Sequence, residues 1–241
     1  MKLHFYGADR CVTGSCHCLE INGKKILVDC GLQQGRDELD NRYLAFAPGN
    51  IDILLVTHAH IDHTGRIPLL VKNGFHGRIL TTRLTADLMK IMLLDSAHIQ
   101  ESDAEYENRK GERAGREHVD PLYTEQDALD VFKYVTTCEY EEKVDLCEGV
   151  SALFTDAGHL LGSASITIEL EENGVHKTIV FSGDIGNVDQ PIIRDPQLLK
   201  KADYVVMEST YGDRNHTEVW SYTDELAEII DETLGKGGNV V

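Results

Sequence analysis

The residues most able to do chemistry are three histidines and an aspartate within one short stretch of the chain. Residues 57–65 read THAHIDHTG and contain His58, His60, Asp62 and His63. Unpaired polar and charged side chains are expensive to bury, so a cluster of them directly after an apolar segment needs a common partner. Imidazole nitrogen and carboxylate oxygen are ordinary ligands of zinc and similar divalent ions. The stretch therefore predicts a metal site.

The spacing of these four side chains indicates more than one ion. In an extended segment His58 and His60 alternate, so both lie on one side and can share an ion. Asp62 and His63 are adjacent in the sequence and diverge. One segment that directs ligands two ways suggests a pair of metal ions.

An apolar run precedes this stretch and must position it. Residues 51–56 read IDILLV, which is typical of a buried strand that ends where the polar residues begin. In α/β folds the functional loops follow the carboxyl ends of strands. His159 and Asp184 also follow predicted strands and stand beside glycines. Each alone is weak evidence, but three such loops together predict a site built from distant parts of the chain.

A further carboxylate, Asp29, ends a predicted strand over residues 25–28 and precedes Cys30-Gly31. It has two interpretations. Aspartate before glycine is common in turns. Alternatively, its carboxylate accepts the second N–H of a ligand histidine and so orients that ring.

Length, charge and composition narrow the class of protein. A chain of 241 residues is long enough for one domain with a substantial core. It contains neither an apolar run of about 20 residues nor a signal-like start, so we expect a cytoplasmic protein that does not enter a membrane. The net charge of −18 argues against a broad positively charged surface that binds nucleic acid. It does not exclude a phosphodiester substrate, because divalent cations can invert the local field.

The predicted elements run from strands through helices and back to strands. An Asn22-Gly23 turn indicates a hairpin early in the chain. The predicted strands cover residues 3–6, 16–21, 25–28, 51–56, 78–82, 150–155, 164–170, 177–181 and 202–207. The predicted helices cover residues 65–72, 85–109, 124–135 and 220–234. A last strand is expected to begin at residue 238, so we expect the chain to be part of a longer protein.

With these motifs in place, the sequence resembles the metallo-β-lactamase superfamily, and within it the β-CASP branch of nucleic-acid-processing hydrolases. The resemblance covers essentially the whole chain. The histidine motif is typical of the superfamily, and the ESTYG run is the part that resembles the β-CASP branch. The matching features are Asp29, HAHIDH at 58–63, His159 in GHLLGS, Asp184 in FSGDIG and Glu208 in ESTYG.

The resemblance implies a fold and a set of ligands. The fold would be α/β (α+β), a four-layered αββα sandwich with the site at one edge. One zinc ion would be bound by His58, His60 and His159, the other by Asp62 and His63, and Asp184 would bridge the two ions. Asp29 would orient a ligand histidine. Glu208 would support the site or the junction with a further domain.

The resemblance also implies a domain organisation. Residues 1–241 would form the metallo-β-lactamase domain, incomplete at its C-terminus, with an inserted β-CASP domain expected after residue 241. Further histidines of the family's site would follow that domain. As the chain stands, the second zinc site would therefore be short of a ligand.

The implied activity is hydrolysis of RNA, with DNA a less favoured substrate. Two zinc ions would lower the pKa of a water and hold the phosphodiester, while Asp62 orients the attacking hydroxide and Asp184 bridges the ions. Two alternatives stay open: a small-molecule ester or thioester hydrolase of the same superfamily, and a catalytically inactive subunit of an RNA-processing complex. We also leave a homodimer open.

Overall fold

The computed structural model describes residues 1–35, 41–112, 115–199, 201–215 and 222–240. The chain forms two compact units, Met1–Glu208 and Ser209–Val241. The first unit contains all eleven strands of the described residues, and the second contains one helix. Each unit is considered separately.

The first sheet has six strands in chain order, and its last four strands run parallel. The Asn22-Gly23 turn joins the second and third strands with positive φ at both residues, as its sequence predicts. The strands are β1 (Lys2–Gly7), β2 (Cys16–Ile21), β3 (Lys24–Val28), β4 (Ile53–Leu55), β5 (Arg78–Thr82) and β6 (Val135–Cys138).

The second sheet has five strands in the order β11-β10-β9-β8-β7. Both β8 and β10 pair antiparallel with β9, so they run in the same direction and end at the same edge. The strands are β7 (Lys143–Cys147), β8 (Val150–Asp156), β9 (Ala164–Glu172), β10 (Val175–Phe181) and β11 (Tyr204–Val206).

Helices complete the fold. In the first unit they are α1 (Ile61–Thr64), α2 (Ile67–Lys72), α3 (Arg83–Glu112) and α4 (Glu125–Asp130), and in the second unit α5 (Tyr222–Gly235). Within the described part of the chain, none of these helices combines the length and the apolar character that crossing a membrane requires.

Alternation along the central strands divides the core in two. Leu54 packs in a cluster with Met89 and Leu93 of α3, whereas Ile53 and Leu55 pack in a second cluster with residues of the other sheet. Successive side chains of a strand point to opposite faces, so β4 contributes to both cores. The first sheet is thus covered by helices on one face and by the second sheet on the other. The predicted α/β class with two sheets is confirmed.

Several predicted boundaries were wrong. The helix expected over residues 124–135 ends at Asp130, and after one 3-10 turn the chain enters β6. Neither β6 nor β7 was predicted, because both are short edge strands with few buried residues. Residues 238–240 form no strand. Trp220 and Val241, the ends of two predicted elements, lie outside the described residues.

Candidate metal centre

The loops that carry the predicted site residues meet where strands of both sheets end. The 57–63 segment follows β4, the His159 loop follows β8, and the Asp184 loop follows β10. A backbone hydrogen bond of 2.8 Å from the N–H of Ala164 to the carbonyl of Thr57 joins the two sheets at this edge. The sheet pairing therefore brings together side chains that are about a hundred residues apart.

Four donor atoms converge in a first group. The Nδ1 atom of His60 lies 3.1 Å from Nε2 of His58 and 3.2 Å from Nε2 of His159. The Oδ2 atom of Asp184 lies 3.6 Å from Nε2 of His58 and 3.5 Å from Nε2 of His159. All four ligand atoms lie within 4.8 Å of one another.

These separations fit a tetrahedral metal ion. Ligand bonds of 2.0–2.1 Å, the usual lengths for zinc with imidazole or carboxylate, put tetrahedral ligand atoms about 3.3 Å apart. The four distances of 3.1, 3.2, 3.5 and 3.6 Å bracket that value. Three imidazoles and one carboxylate are also the donor types that divalent transition metals prefer.

A second group lies on the other side of Asp184. The Oδ1 atom of Asp184 is 3.2 Å from Nε2 of His63, which is in turn 3.8 Å from Oδ2 of Asp62. Asp184 therefore directs one carboxylate oxygen to each group. The structure brings together all six residues for which the sequence predicts metal ligation.

The pKa values of His58, His60 and Asp184 favour the protonation states that bind metal. Burial lowers the pKa of His58 well below its ordinary value, and burial also lowers the pKa of His60. Burial alone would raise the pKa of Asp184, but the hydrogen bond from His63 and the nearby imidazoles lower it instead. Neutral imidazole and ionised carboxylate are the forms that coordinate a cation.

A sequence profile of the metallo-beta-lactamase superfamily matches residues 9–231. The chain belongs to this superfamily. A metallo-β-lactamase domain with such a cluster of histidine and aspartate side chains implies a bound divalent metal.

Three curated relatives match most of this metallo-β-lactamase chain. Ribonuclease TTHA0252 from Thermus thermophilus is 36% identical over 242 residues, which cover 100% of this chain and 51% of the relative. Transcription termination factor FttA from Methanosarcina mazei is 31% identical, with coverage of 94% and 34%. Endoribonuclease YSH1 from Yarrowia lipolytica is 30% identical, with coverage of 96% and 26%. The chain spans about half or less of the length of these relatives.

Asp29 lies behind the second group of this metallo-β-lactamase site. Its side chain is buried and its Oδ2 atom accepts a 2.7 Å hydrogen bond from Nδ1–H of His63. Burial alone would lower the pKa of His63, but the charge of Asp29 and the contact with Asp184 raise it to about 10. When a cation displaces the proton on Nε2 of His63, the hydrogen bond to Asp29 keeps the other proton on Nδ1, so that Nε2 faces Asp184 and Asp62.

Glu208 contacts the loop that carries Asp184 rather than a ligand atom. Its Oε1 atom accepts a hydrogen bond of 2.6 Å from the backbone N–H of Ile185, and its own N–H donates to the hydroxyl of Ser182 at 3.2 Å. Two hydrogen bonds on either side of Asp184 restrict the position of this loop.

Two hydroxyl residues that the sequence analysis did not single out orient ligands directly. The Thr57 hydroxyl donates to Asp29 at 2.9 Å and lies 3.1 Å from Nδ1 of His58, where it can accept the ring N–H. The Ser163 hydroxyl accepts from the backbone N–H of His159 at 3.1 Å. Thr57 is adjacent to His58 in the sequence and Ser163 lies four residues after His159, so a hydroxyl close to a predicted ligand was the available signal.

Close backbone contacts fix the spacing between the loops. A Cβ atom on Gly31 would lie 1.6 Å from the carbonyl oxygen of Asp62, and one on Gly186 would lie 1.5 Å from that of Gly158. Glycine is therefore required at both positions for the loops to approach as closely as they do.

Proposed function

We propose that this protein hydrolyses phosphodiester bonds in RNA with two bound zinc ions. The observation that carries the proposal is the pair of donor groups that share the two oxygens of Asp184. The names of two of the relatives, a ribonuclease and an endoribonuclease, support RNA as the substrate.

One zinc ion would be held by His58, His60 and His159, the other by Asp62 and His63, with Asp184 between them. Two divalent ions in such a site supply a nucleophile at neutral pH and stabilise the charge that develops on the phosphodiester oxygens. The three histidines of the first group are the neutral donors expected for zinc.

The side chains have separate tasks in this proposal. Asp62 is half-buried and faces the second group, so its carboxylate can accept a proton from the attacking water and orient it. Asp29 keeps the Nε2 lone pair of His63 directed to the site. Glu208 holds the loop of Asp184 in place through Ile185, which keeps the two donor groups at a constant separation.

The names of the relatives are consistent with the β-CASP branch that the sequence resembles. An inserted domain after residue 241, which would bring the remaining histidines, stays a prediction. The cytoplasmic location and the homodimer stay predictions as well.

The test uses the protein expressed from its complete reading frame. Replacing both Asp62 and His63 by alanine is expected to remove one bound ion per chain. Hydrolysis of labelled RNA should fall at least about a hundredfold, the loss typical when one electrostatic stabiliser is removed. Metal content is measured by mass spectrometry. The two singly substituted proteins show whether Asp62 or His63 contributes more to metal binding and to RNA hydrolysis.

A matched control replaces Asp95 and His98, an exposed aspartate and histidine of α3, by alanine. This variant should keep both ions and full activity. Unchanged RNA hydrolysis in the Asp62→Ala, His63→Ala variant would refute the proposed roles. Hydrolysis of a thioester or lactone without any hydrolysis of RNA would favour the small-molecule alternative. Bound metal without hydrolysis of either substrate class would favour the inactive subunit.

A further inference from the structure

A groove of about 730 Å³ lies beside the loop that carries His159. Two arginines, Arg83 and Arg194, line it together with apolar side chains that include Leu84, Leu161 and Ile192. These apolar residues face solvent: Leu84 is 47% exposed, Leu161 is 44% exposed and Ile192 is 91% exposed. The groove thus combines positive charge with an apolar floor.

The loop of His159 forms one wall of the groove and is fixed to both arginine-bearing segments. On one side, the carbonyl of Gly162 accepts hydrogen bonds from the hydroxyls of Thr82 at 2.7 Å and Thr85 at 2.8 Å, which flank Arg83 at the start of α3. On the other side, a Cβ on Gly158 would lie 2.8 Å from the carbonyl oxygen of Arg194. Both arginines are therefore held close to a proposed metal ligand.

The two arginines stand out in an acidic protein. The chain has 41 acidic and 23 basic residues, and many lysines pair with carboxylates. Among the described residues, neither Arg83 nor Arg194 has a hydrogen-bond or ion-pair partner. The groove has two carboxylates: Asp156 is buried and accepts from the N–H of Gly158, and Glu139 is exposed. The guanidinium groups are thus free for an external anion.

We propose that this groove binds the RNA strand next to the bond that is cleaved, with Arg83 and Arg194 on phosphates and a base against Leu84, Leu161 and Ile192. This inference rests on the proposed function. The planar guanidinium group matches the oxygens of a phosphate and donates two hydrogen bonds at once. Proteins hold single-stranded nucleic acid in positively charged grooves that follow the phosphate backbone, and here the exposed aliphatic side chains offer the bases an apolar contact.

The contacts are to phosphate, so the groove holds RNA without reading its sequence. The groove would position the strand so that the scissile phosphodiester reaches the metal centre.

The test is a binding measurement on the protein from its complete reading frame, with Asp62→Asn added to prevent cleavage. Fluorescence anisotropy with a labelled single-stranded RNA gives the dissociation constant over a range of salt concentrations. In the Arg83→Ala, Arg194→Ala variant, binding should weaken roughly tenfold, and the slope of log K against log salt should fall by about 1.4, or 0.7 per lost phosphate contact. Two RNAs of unrelated sequence should show the same loss. Lysine at both positions should restore part of the affinity.

The matched control replaces Arg109, in the last turn of α3, and Arg116, which follows the helix, by alanine; both are exposed. Arg109 lies about 39 Å along the helix from Arg83, at 1.5 Å per residue. Equal binding of both double variants, with melting temperature and metal content unchanged, would overturn the inference and leave the proposed function intact. A selective loss in the groove variant, with no hydrolysis by the unsubstituted protein, would support the groove and refute the proposed activity.

Discussion

Replacing Asp29 by asparagine tests whether a buried carboxylate controls the second metal site. The substitution keeps the shape of the side chain, and Oδ1 can still accept from the N–H of Thr57, at 2.9 Å in the structure. It puts an NH₂ group where Oδ2 accepts the 2.7 Å hydrogen bond from Nδ1–H of His63. Two donors then face each other, which favours the tautomer of His63 with its proton on Nε2. That proton occupies the atom directed at Asp184 and Asp62.

The size of the effect follows from the hydrogen bond that is lost. A hydrogen bond to a charged group contributes about 1.5–3 kcal/mol. Each 1.4 kcal/mol is a factor of ten in affinity, so the second ion should bind roughly 10- to 100-fold more weakly. Carboxylates that orient ligand histidines have effects in this range. The first group is linked to Asp29 only through the hydroxyl of Thr57, which contacts His58, so its affinity should change less than that of the second group.

The assay is a titration of the metal-free protein with zinc against a competing chelator, which resolves the two binding events. Asp52→Asn is a suitable control, because Asp52 accepts from the N–H of Lys25 at 2.9 Å but precedes β4, whereas the site follows that strand. Two ions bound by Asp29→Asn with the affinity of the unsubstituted protein would refute the role given to Asp29.

Two further predictions concern stability. In Gly186→Ala the new Cβ would lie 1.5 Å from the carbonyl oxygen of Gly158, so the loops must separate at a cost of about 1–3 kcal/mol. The melting temperature should fall by about 2–10 °C and RNA hydrolysis should fall with it, whereas Gly235→Ala, which meets no atom within 4 Å, should retain both. The second prediction concerns pH. In the metal-free protein, the pKa of His63 is raised from 6.5 to about 10. The pairing of His63 with Asp29 therefore contributes its full stabilisation below pH 6.5, and this stabilisation is lost as the pH rises through 10. Urea unfolding in the presence of a chelator gives the free energy of unfolding of the unsubstituted protein and of Asp29→Asn. The difference between the two free energies should shrink from pH 6 to pH 10. A difference that grows over this range would contradict the ion pair.

The central strands were predictable because each is a short apolar run that can be recognised from neighbouring residues alone. β3, β4, β8 and β10 are apolar runs bounded by turn residues or by the motifs, and burial of such runs follows from their composition. The edge strands β6 and β7 were not predictable in this way. All but one of their residues are exposed or half-buried, and they are strands because β5 and β8 offer them backbone hydrogen bonds.

By itself, the sequence determined the chemical types in the site and the local position of each one. Histidine and aspartate after apolar strands, beside glycines, predict His58, His60, Asp62, His63, His159 and Asp184 as candidate metal ligands without any coordinates. The same reasoning left two interpretations of Asp29 and gave no role to Thr57.

Only the tertiary structure decided how these groups face one another. The division of the two oxygens of Asp184 between the donor groups depends on the register of the second sheet and on the contact of its edge with Thr57. The juxtaposition of Arg83 and Arg194 across the loop of His159 depends on the same packing. Distances of a few ångströms between residues about a hundred positions apart are set by strand pairing and core packing. A local pattern therefore names the ligands but cannot place them.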